Sequence, residues 1–216
     1  MATTPSSTIK GVHTGGAAWM QLHASIAVHG LDLLVDRGYD AFTVDNLAAT
    51  SGINRRTMYR HYPSRVEMAV AAIRQMPSFA TDQGRPGTPR ERLFAAVHEG
   101  SLLPLRLPRL LATVVTHARS TPELLAALQE YVLKPREASL AQGLVAGKAQ
   151  GWVRPEVQAW ELSALINGLL VNESLGLVRF DSRAKRSDAI AEALWRMVAI
   201  DPAGDGAAKP VGRRSR

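Results

Sequence analysis

The chain has 216 residues, no cysteine and a hydrophobic content of 46%, which allows a substantial core and excludes wholesale disorder, disulfides, thiolate metal sites and cysteine nucleophiles. Its 26 basic and 19 acidic side chains leave a formal charge of +7 and a pI near 10.2. That balance suits an anionic partner, nucleic acid first, although a basic solvated surface gives the same totals, so distribution must decide.

Residues 1–17 read as a disordered N-terminal arm: small and polar, with Lys10 and His13, and without the apolar stretch of a secretory signal. Helical periodicity then runs nearly without interruption. A first helix is expected over Ala18–Arg37, where Trp19, Leu22, Ile26, Leu33 and Leu34 recur on one face and Gly38 follows the end. Thr43 reads as the N-cap of a short helix, Val44–Thr50, and Ser51-Gly52-Ile53 as a turn. A third helix is expected from Asn54 to His61 or Tyr62, closed by Pro63, and Ser64 starts a fourth that reaches Pro77.

Residues 78–89 concentrate turn signals, Gly84, Pro86-Gly87 and Pro89, and form the expected linker between an 18–77 domain and a 90–200 domain. Beyond it, helices are expected over Arg90–Leu103 and Pro108–Ser120. Another should start at Thr121-Pro122-Glu123, bend at Pro135 and end at Gly151. Pro155 should open a helix reaching Phe180, and Asp181 or Ser182 should cap the last, with Ile190, Ala193, Leu194, Met197 and Val198 on one face. Residues 201–216 read as a disordered basic tail carrying Lys209, Arg213, Arg214 and Arg216. The arm is either a minor-groove reader or a plain terminus, and the tail either a nonspecific phosphate contact or solvated. The most apolar stretch, Leu162–Val171, is broken by Asn167 and Gly168 and falls short of the ~20 residues that span a bilayer. The expectation is an all-α cytoplasmic protein without membrane contact.

The informative segment is Thr43 to Tyr62. Leu47, Ala48, Ile53 and Met58 are spaced to pack two short helices around the turn at Gly52. With those inside, the third helix presents Arg55, Arg56, Tyr59 and Arg60, and from Asn54 to Arg65 there are four arginines and no carboxylate. Such a helix suits the major groove, where arginine forks match the O6/N7 edge of guanine. Tyr59, His61 and the amide and hydroxyl of Thr43 are donors for phosphate oxygens. A solvated basic face on a helix-turn-helix of another purpose is the competing reading of the same residues.

From Ile26 to about Met68 the chain resembles the N-terminal domain of the TetR (tetracycline-repressor-like) family. The resemblance is carried by Asp36-Arg37-Gly38-Tyr39, Phe42-Thr43-Val44, Leu47-Ala48, Ser51-Gly52-Ile53, Thr57-Met58-Tyr59 and His61-Tyr62-Pro63-Ser64-Arg65, about a third of the chain. It implies a three-helix DNA-binding domain joined to a larger helical effector-binding and dimerisation domain. It further implies a homodimer that reads a pseudo-palindromic operator on double-stranded DNA, joined through the last two long helices. By position, Thr43, Tyr59, His61 and Arg65 match phosphate grips, and Asn54, Arg55, Arg56 and Thr57 match base-facing places. Two departures stand out. Gly30 sits mid-helix where the family has alanine, at a propensity cost of about 1 kcal/mol. Asp45 lies in the first turn of the second helix, where it either points away from DNA or accepts from a cytosine amine.

The Leu162–Val171 helix is apolar nearly all round, so a partner subunit or its own core must cover it. Polar residues on otherwise apolar helices are the effector-pocket candidates: His98, His117, Tyr131, Asn167 and Asn172, with Trp160 as an aromatic wall. Few charges fall on these helices, so a fairly apolar effector is expected. No phosphate loop, HExxH or G-x-S-x-G is present, and the six histidines form no metal-ligand pattern, so neither an enzyme nor a cofactor or metal is expected. A ligand-responsive repressor is the reading, with an activator, a nonspecific architectural DNA binder and a helical binding protein as its rivals.

Overall fold

The computed structural model describes residues 16–76, 86–102, 106–201 and 203–204. The arm with Lys10 and His13, most of the 78–89 linker, the tail arginines and Lys209, and the side chain of Trp19 lie outside the described residues.

The first four helices follow from local signals. α1 (Ala17–Arg37) buries Ile26, Ala27, Leu31, Leu33 and Leu34, and Gly38 ends it at φ 77° with its N–H on the Leu34 carbonyl. α2 (Val44–Ser51) begins where the Thr43 side chain accepts from the Asn46 amide at 3.1 Å, and ends at the left-handed Gly52, φ 70°. α3 (Arg55–His61) is pinned by Met58, which is fully buried, and Ser64 caps α4 (Arg65–Ile73). α1 packs along α4 and against α2, and α2 packs on α3. Gly30 has a packing reason: a Cβ there would lie 3.0 Å from the Ala72 Cβ and 3.3 Å from the Phe42 ring. An alanine at this position would need Ala72 or the Phe42 ring to give by a few tenths of an ångström.

The remaining helices are α5 (Pro89–Leu102), α6 (Arg106–His117), α7 (Pro122–Leu128), α8 (Lys134–Ala149), α9 (Ala159–Ser174) and α10 (Arg183–Val198). α5 packs on α10, α9 on both α6 and α8, α6 on α1 and α7 on α4. Buried apolar side chains from Ile26 to Val198 form one contiguous cluster, so the two groups of helices share a core.

Several boundaries differ from the sequence expectation, each for a local reason. α4 stops at Ile73 rather than Pro77, because Gln75 and Met76 close tight i→i−3 bonds on Ala72 and Ile73 and the residue before a proline avoids helical backbone. α6 starts two residues before Pro108, which sits in the first turn where an absent N–H loses no helical bond. Thr121 precedes α7, but its side chain makes no capping bond, and Pro122 sets the start. In place of a simple bend at Pro135, residues Gln129–Leu133 form a widened π turn between α7 and α8, which relieves the clash of a proline ring with the carbonyl four residues before it. α9 begins at Ala159 rather than Pro155, because Gln158 and Glu161 form a reciprocal capping box. It ends at Ser174 rather than Phe180, at Gly176 (φ 73°), with the Leu177 N–H on Asn172 O and the Gly176 N–H on Glu173 O. On α10, Ala193 is exposed while Trp195 is fully buried and stacked 5.7 Å from Trp152.

An ion pair between α9 and α10 lies inside. Arg186 of α10 is 4% exposed and reaches both carboxylate oxygens of Glu173 of α9 at 3.2 and 3.3 Å, Glu173 being 19% exposed. Breaking a buried pair by removing one partner costs about 3–5 kcal/mol. Glu173→Ala is therefore expected to lower stability by that amount in urea unfolding, whereas a loss of only a few tenths would mean that the Arg186 head is solvated on loss of its partner.

Candidate nucleic-acid interface

α3 is short and held by one buried residue, so its other sides are free to point out. Arg55, Arg56, Tyr59 and Arg60 are all exposed, Tyr59 to 51%, and Thr57 is half-buried beside them. The structure thus brings four of the expected side chains onto one cationic, aromatic face.

The others have tasks in the fold. Asn54 is the N-cap of α3: its Oδ1 accepts from the Thr57 amide at 2.9 Å. The Thr43 amide donates to Ala41 O at 2.8 Å and is spent, whereas its hydroxyl accepts from Asn46 and keeps a hydrogen to give. Asp45 forms an ion pair with Arg55, so the acid in the first turn of α2 is neutralised by the helix beside it. Arg60 donates to Thr57 Oγ1 at 3.4 Å. Arg65 is not placed with the exposed four: its guanidinium lies 4.0 Å over the Tyr39 ring and donates to the Tyr39 carbonyl, tying α4 to the corner after α1. His61 meets His23 of α1 at 3.0 Å, and His23 also leans on Tyr62 with centroids 4.7 Å apart. Burial first, and the neighbouring His61 second, pull the His23 pKa down.

The six pocket candidates lie on four different elements. His98 bridges α5 to Asp188 of α10 at 2.8 Å. His117 of α6 and Tyr131 of the π turn both touch the N-terminal helices: His117 meets Asp40 at 3.1 Å and the edge of Tyr39, and Tyr131 accepts from Arg74 of α4 at 2.6 Å under its guanidinium. Asn167 donates to Ser163 at 3.2 Å, Asn172 to Gly168 O at 2.7 Å, and Trp160 is 60% exposed. A cleft of about 410 Å³ lies instead between α1 and α4, lined by His23, Tyr62 and Arg74 among others.

Sequence reasoning missed three features. Asp32, Asp36 and Asp40 follow one another at helical spacing and pair with Arg106, Arg109 and His117, a ladder that ties α6 to α1 and the corner after it. The four-residue spacing of acids was a readable signal, but their partners lie more than seventy positions away. Arg136 of α8 is largely buried, and burial lowers its pKa to about 10. His23 carried no signal beyond being a histidine. Among the described residues no group of three or more His, Asp or Glu could hold a metal, and no helix is long and apolar enough to cross a membrane.

A capped short helix joined by a glycine turn to an exposed cationic helix is the arrangement of a helix-turn-helix motif. Residues 27–72 match the family model for bacterial regulatory proteins of the tetR family. HTH-type transcriptional regulators of Mycobacterium bovis and Mycobacterium tuberculosis, described as uncharacterized, are each 35% identical to this chain over 60 residues. The match covers 28% of this chain and only 30% of those relatives. Solved structures extend the likeness in fold. A transcriptional regulator from Saccharomonospora viridis, in complex with choline, superposes with a TM-score of 0.68 at 21% identity, covering 84% of this chain and all of its own. A TetR-family regulator from Rhodococcus sp. gives 0.67 at 16%, over 83% of this chain and 100% of that one. FadR from Bacillus subtilis, in complex with stearoyl-CoA, gives 0.59 at 16%, over 80% and 97%. Residues 27–72 thus match the tetR family by sequence, and the described chain shares the fold of the solved regulators.

The ladder has a pH signature. The Thr113 carbonyl on one His117 nitrogen, and then the Asp40 carboxylate at the other, raise the His117 pKa against the opposing effect of burial. A raised folded-state value means that the histidine stabilises the fold below its unfolded pKa of about 6.5, and that this part is lost as pH rises through the folded value. The stability difference between the natural chain and His117→Gln, from urea midpoints across pH, is expected to be largest at acid pH and to shrink on the alkaline side. A difference that is flat with pH would show that His117 titrates as it does in the unfolded chain.

Proposed function

We propose that the protein is a sequence-specific transcription regulator that binds double-stranded DNA as a homodimer through α3. Helices α1–α4 serve as the DNA-binding domain and α5–α10 as the effector-binding and dimerisation domain. The observation that carries this reading is the exposed face of Arg55, Arg56, Tyr59 and Arg60, on a helix whose opposite side is locked by Met58. Among the described residues Arg56 has neither an ion pair nor a hydrogen bond, so its guanidinium is free for the bidentate contact that guanine offers in the major groove. Tyr59 and the Thr43 hydroxyl supply donors for phosphates on either side.

A second copy is supported by α9, which leaves Ala164, Leu165 and Gly168 exposed along one stretch, with Trp160 a turn away. Small and apolar residues of this kind permit close helix packing between subunits. An effector is supported by the similar folds solved with choline and with stearoyl-CoA. We take the effector to be fairly apolar. Its binding would move α6 and the π turn, which grip α1 through the aspartate ladder and α4 through Tyr131 and Arg74. The two recognition helices would then leave the half-site spacing of roughly 34–36 Å, and the operator would be released.

Fluorescence anisotropy with duplexes from the chain's own upstream region, competed by scrambled DNA, tests this. Specific duplex is expected to win, and Arg56→Ala to lose about 1–3 kcal/mol on it with little change on scrambled DNA. Equal competition by scrambled duplex would leave only a nonspecific binder.

A further inference from the structure

His23 and His61 come from different elements, α1 and the last turn of α3, and meet nitrogen to nitrogen. Nε2 of His23 lies 3.0 Å from Nδ1 of His61, with the rings edge-on at 85° and centroids 4.8 Å apart. At that distance one nitrogen must donate and the other accept. A neutral imidazole carries a single N–H, so the direction of this bond decides where His61 keeps its own hydrogen. If His23 donates, His61 accepts at Nδ1 and carries its hydrogen on Nε2. If His61 donates, its Nε2 is a bare lone pair, which a phosphate oxygen repels.

We propose that His23 is a positioning residue for the DNA grip, which rests on the DNA-binding reading above: by donating from Nε2 it holds His61 as the tautomer whose Nε2–H faces a phosphate oxygen. Three elements fix the pair. His23 projects from α1, Tyr62 packs on its ring at 4.7 Å from the end of α3, and Arg74 of α4 lies across the same cleft. Burial of the site, and the neighbouring His61 after it, lower the His23 pKa and so disfavour a charge there. A neutral His23 has a single N–H, and the proposal places it on Nε2, toward His61 Nδ1 at 3.0 Å. His61 itself is only half-buried and follows Arg60 in the cationic helix.

The test uses the full chain labelled with 15N-histidine. Long-range 15N–1H correlation spectra distinguish Nδ1–H from Nε2–H imidazoles, and anisotropy gives affinity for upstream and scrambled duplexes. In the natural protein His61 is expected as the Nε2–H tautomer, free and DNA-bound. His23→Leu removes the donor, so the His61 signature should become mixed and affinity should fall about three- to tenfold for both duplexes alike, the effect of one hydrogen bond to phosphate. His23→Gln keeps an N–H near the same reach and is expected to restore both the tautomer and most of the affinity. A His61 found as Nδ1–H in the natural protein overturns the proposal without any variant, whether or not His23→Leu folds. An unchanged tautomer and affinity in a folded His23→Leu chain overturns it as well. Failure of the natural chain to bind any duplex removes the DNA-binding reading itself, a result distinct from normal binding with the wrong tautomer.

Discussion

The contact between α1 and α4 at Gly30 governs most of what surrounds it. Because no side chain separates them there, Ala72 and the Phe42 ring come to within about van der Waals distance of the α1 backbone. A helix brought that close to its neighbour can act as a beam. One side of α1 carries α4 and α2, and α2 in turn carries α3. Another side presents Asp32 and Asp36 to the arginines of α6. The loss of helix propensity at a mid-helix glycine, about 1 kcal/mol, is set against apolar contacts among Ile26, Phe42, Met68 and Ala72, all almost wholly buried. At about 1.5–3 kcal/mol for each large side chain buried, those contacts outweigh it.

What was legible in the sequence is what local chemistry decides. Thr43 and Ser64 cap because their oxygens reach amides three residues on, and Gly38 and Gly52 end helices because the backbone turns to positive φ there. The apolar inventory of the helix-turn-helix, Leu47, Ala48, Ile53 and Met58, all packs inward. Errors arose where two local signals competed. Pro155 and the apolar run toward Phe180 suggested one long helix, but a capping box at Gln158 and the glycine at 176 set tighter limits. On α10, Ala193 and Trp195 are two residues apart, and only the packing of Trp152 shows which one faces the core.

The site was legible in composition but not in direction. A run of arginines without carboxylates marks the helix, yet it does not say which guanidinium the fold has already engaged. The partners of Arg65 and His61 lie 26 and 38 positions upstream, and no periodicity within a single helix reports them. The pocket candidates show the same limit. Being polar on an apolar helix singled out His117 and Tyr131 as pocket candidates, and the structure shows both in contact with the N-terminal helices or the corner after α1.

Magnitudes then separate the arginines that DNA can draw out from those it cannot. The Arg55–Asp45 pair has both side chains more than half exposed, and such pairs are worth about 0–1 kcal/mol. A bidentate base contact offers about 1–3 kcal/mol of discrimination, so Arg55 can exchange its partner for a guanine without a net penalty. Among the described residues Arg56 has no partner to leave. Arg65 differs: its Nε is buried, its head lies on the Tyr39 ring, and it also satisfies a main-chain carbonyl. Pulling it out would forfeit a desolvated cation–π contact of up to about 2 kcal/mol and one of that carbonyl's two donors, the Phe42 N–H being the other. A single phosphate contact in water does not repay that loss. Arg65 is better understood as the clamp that fixes where α4 begins, and hence the angle at which α3 is presented. The reading helix can be short because the residues around it, Met58 beneath, His23 beside and Arg65 behind, hold it in place.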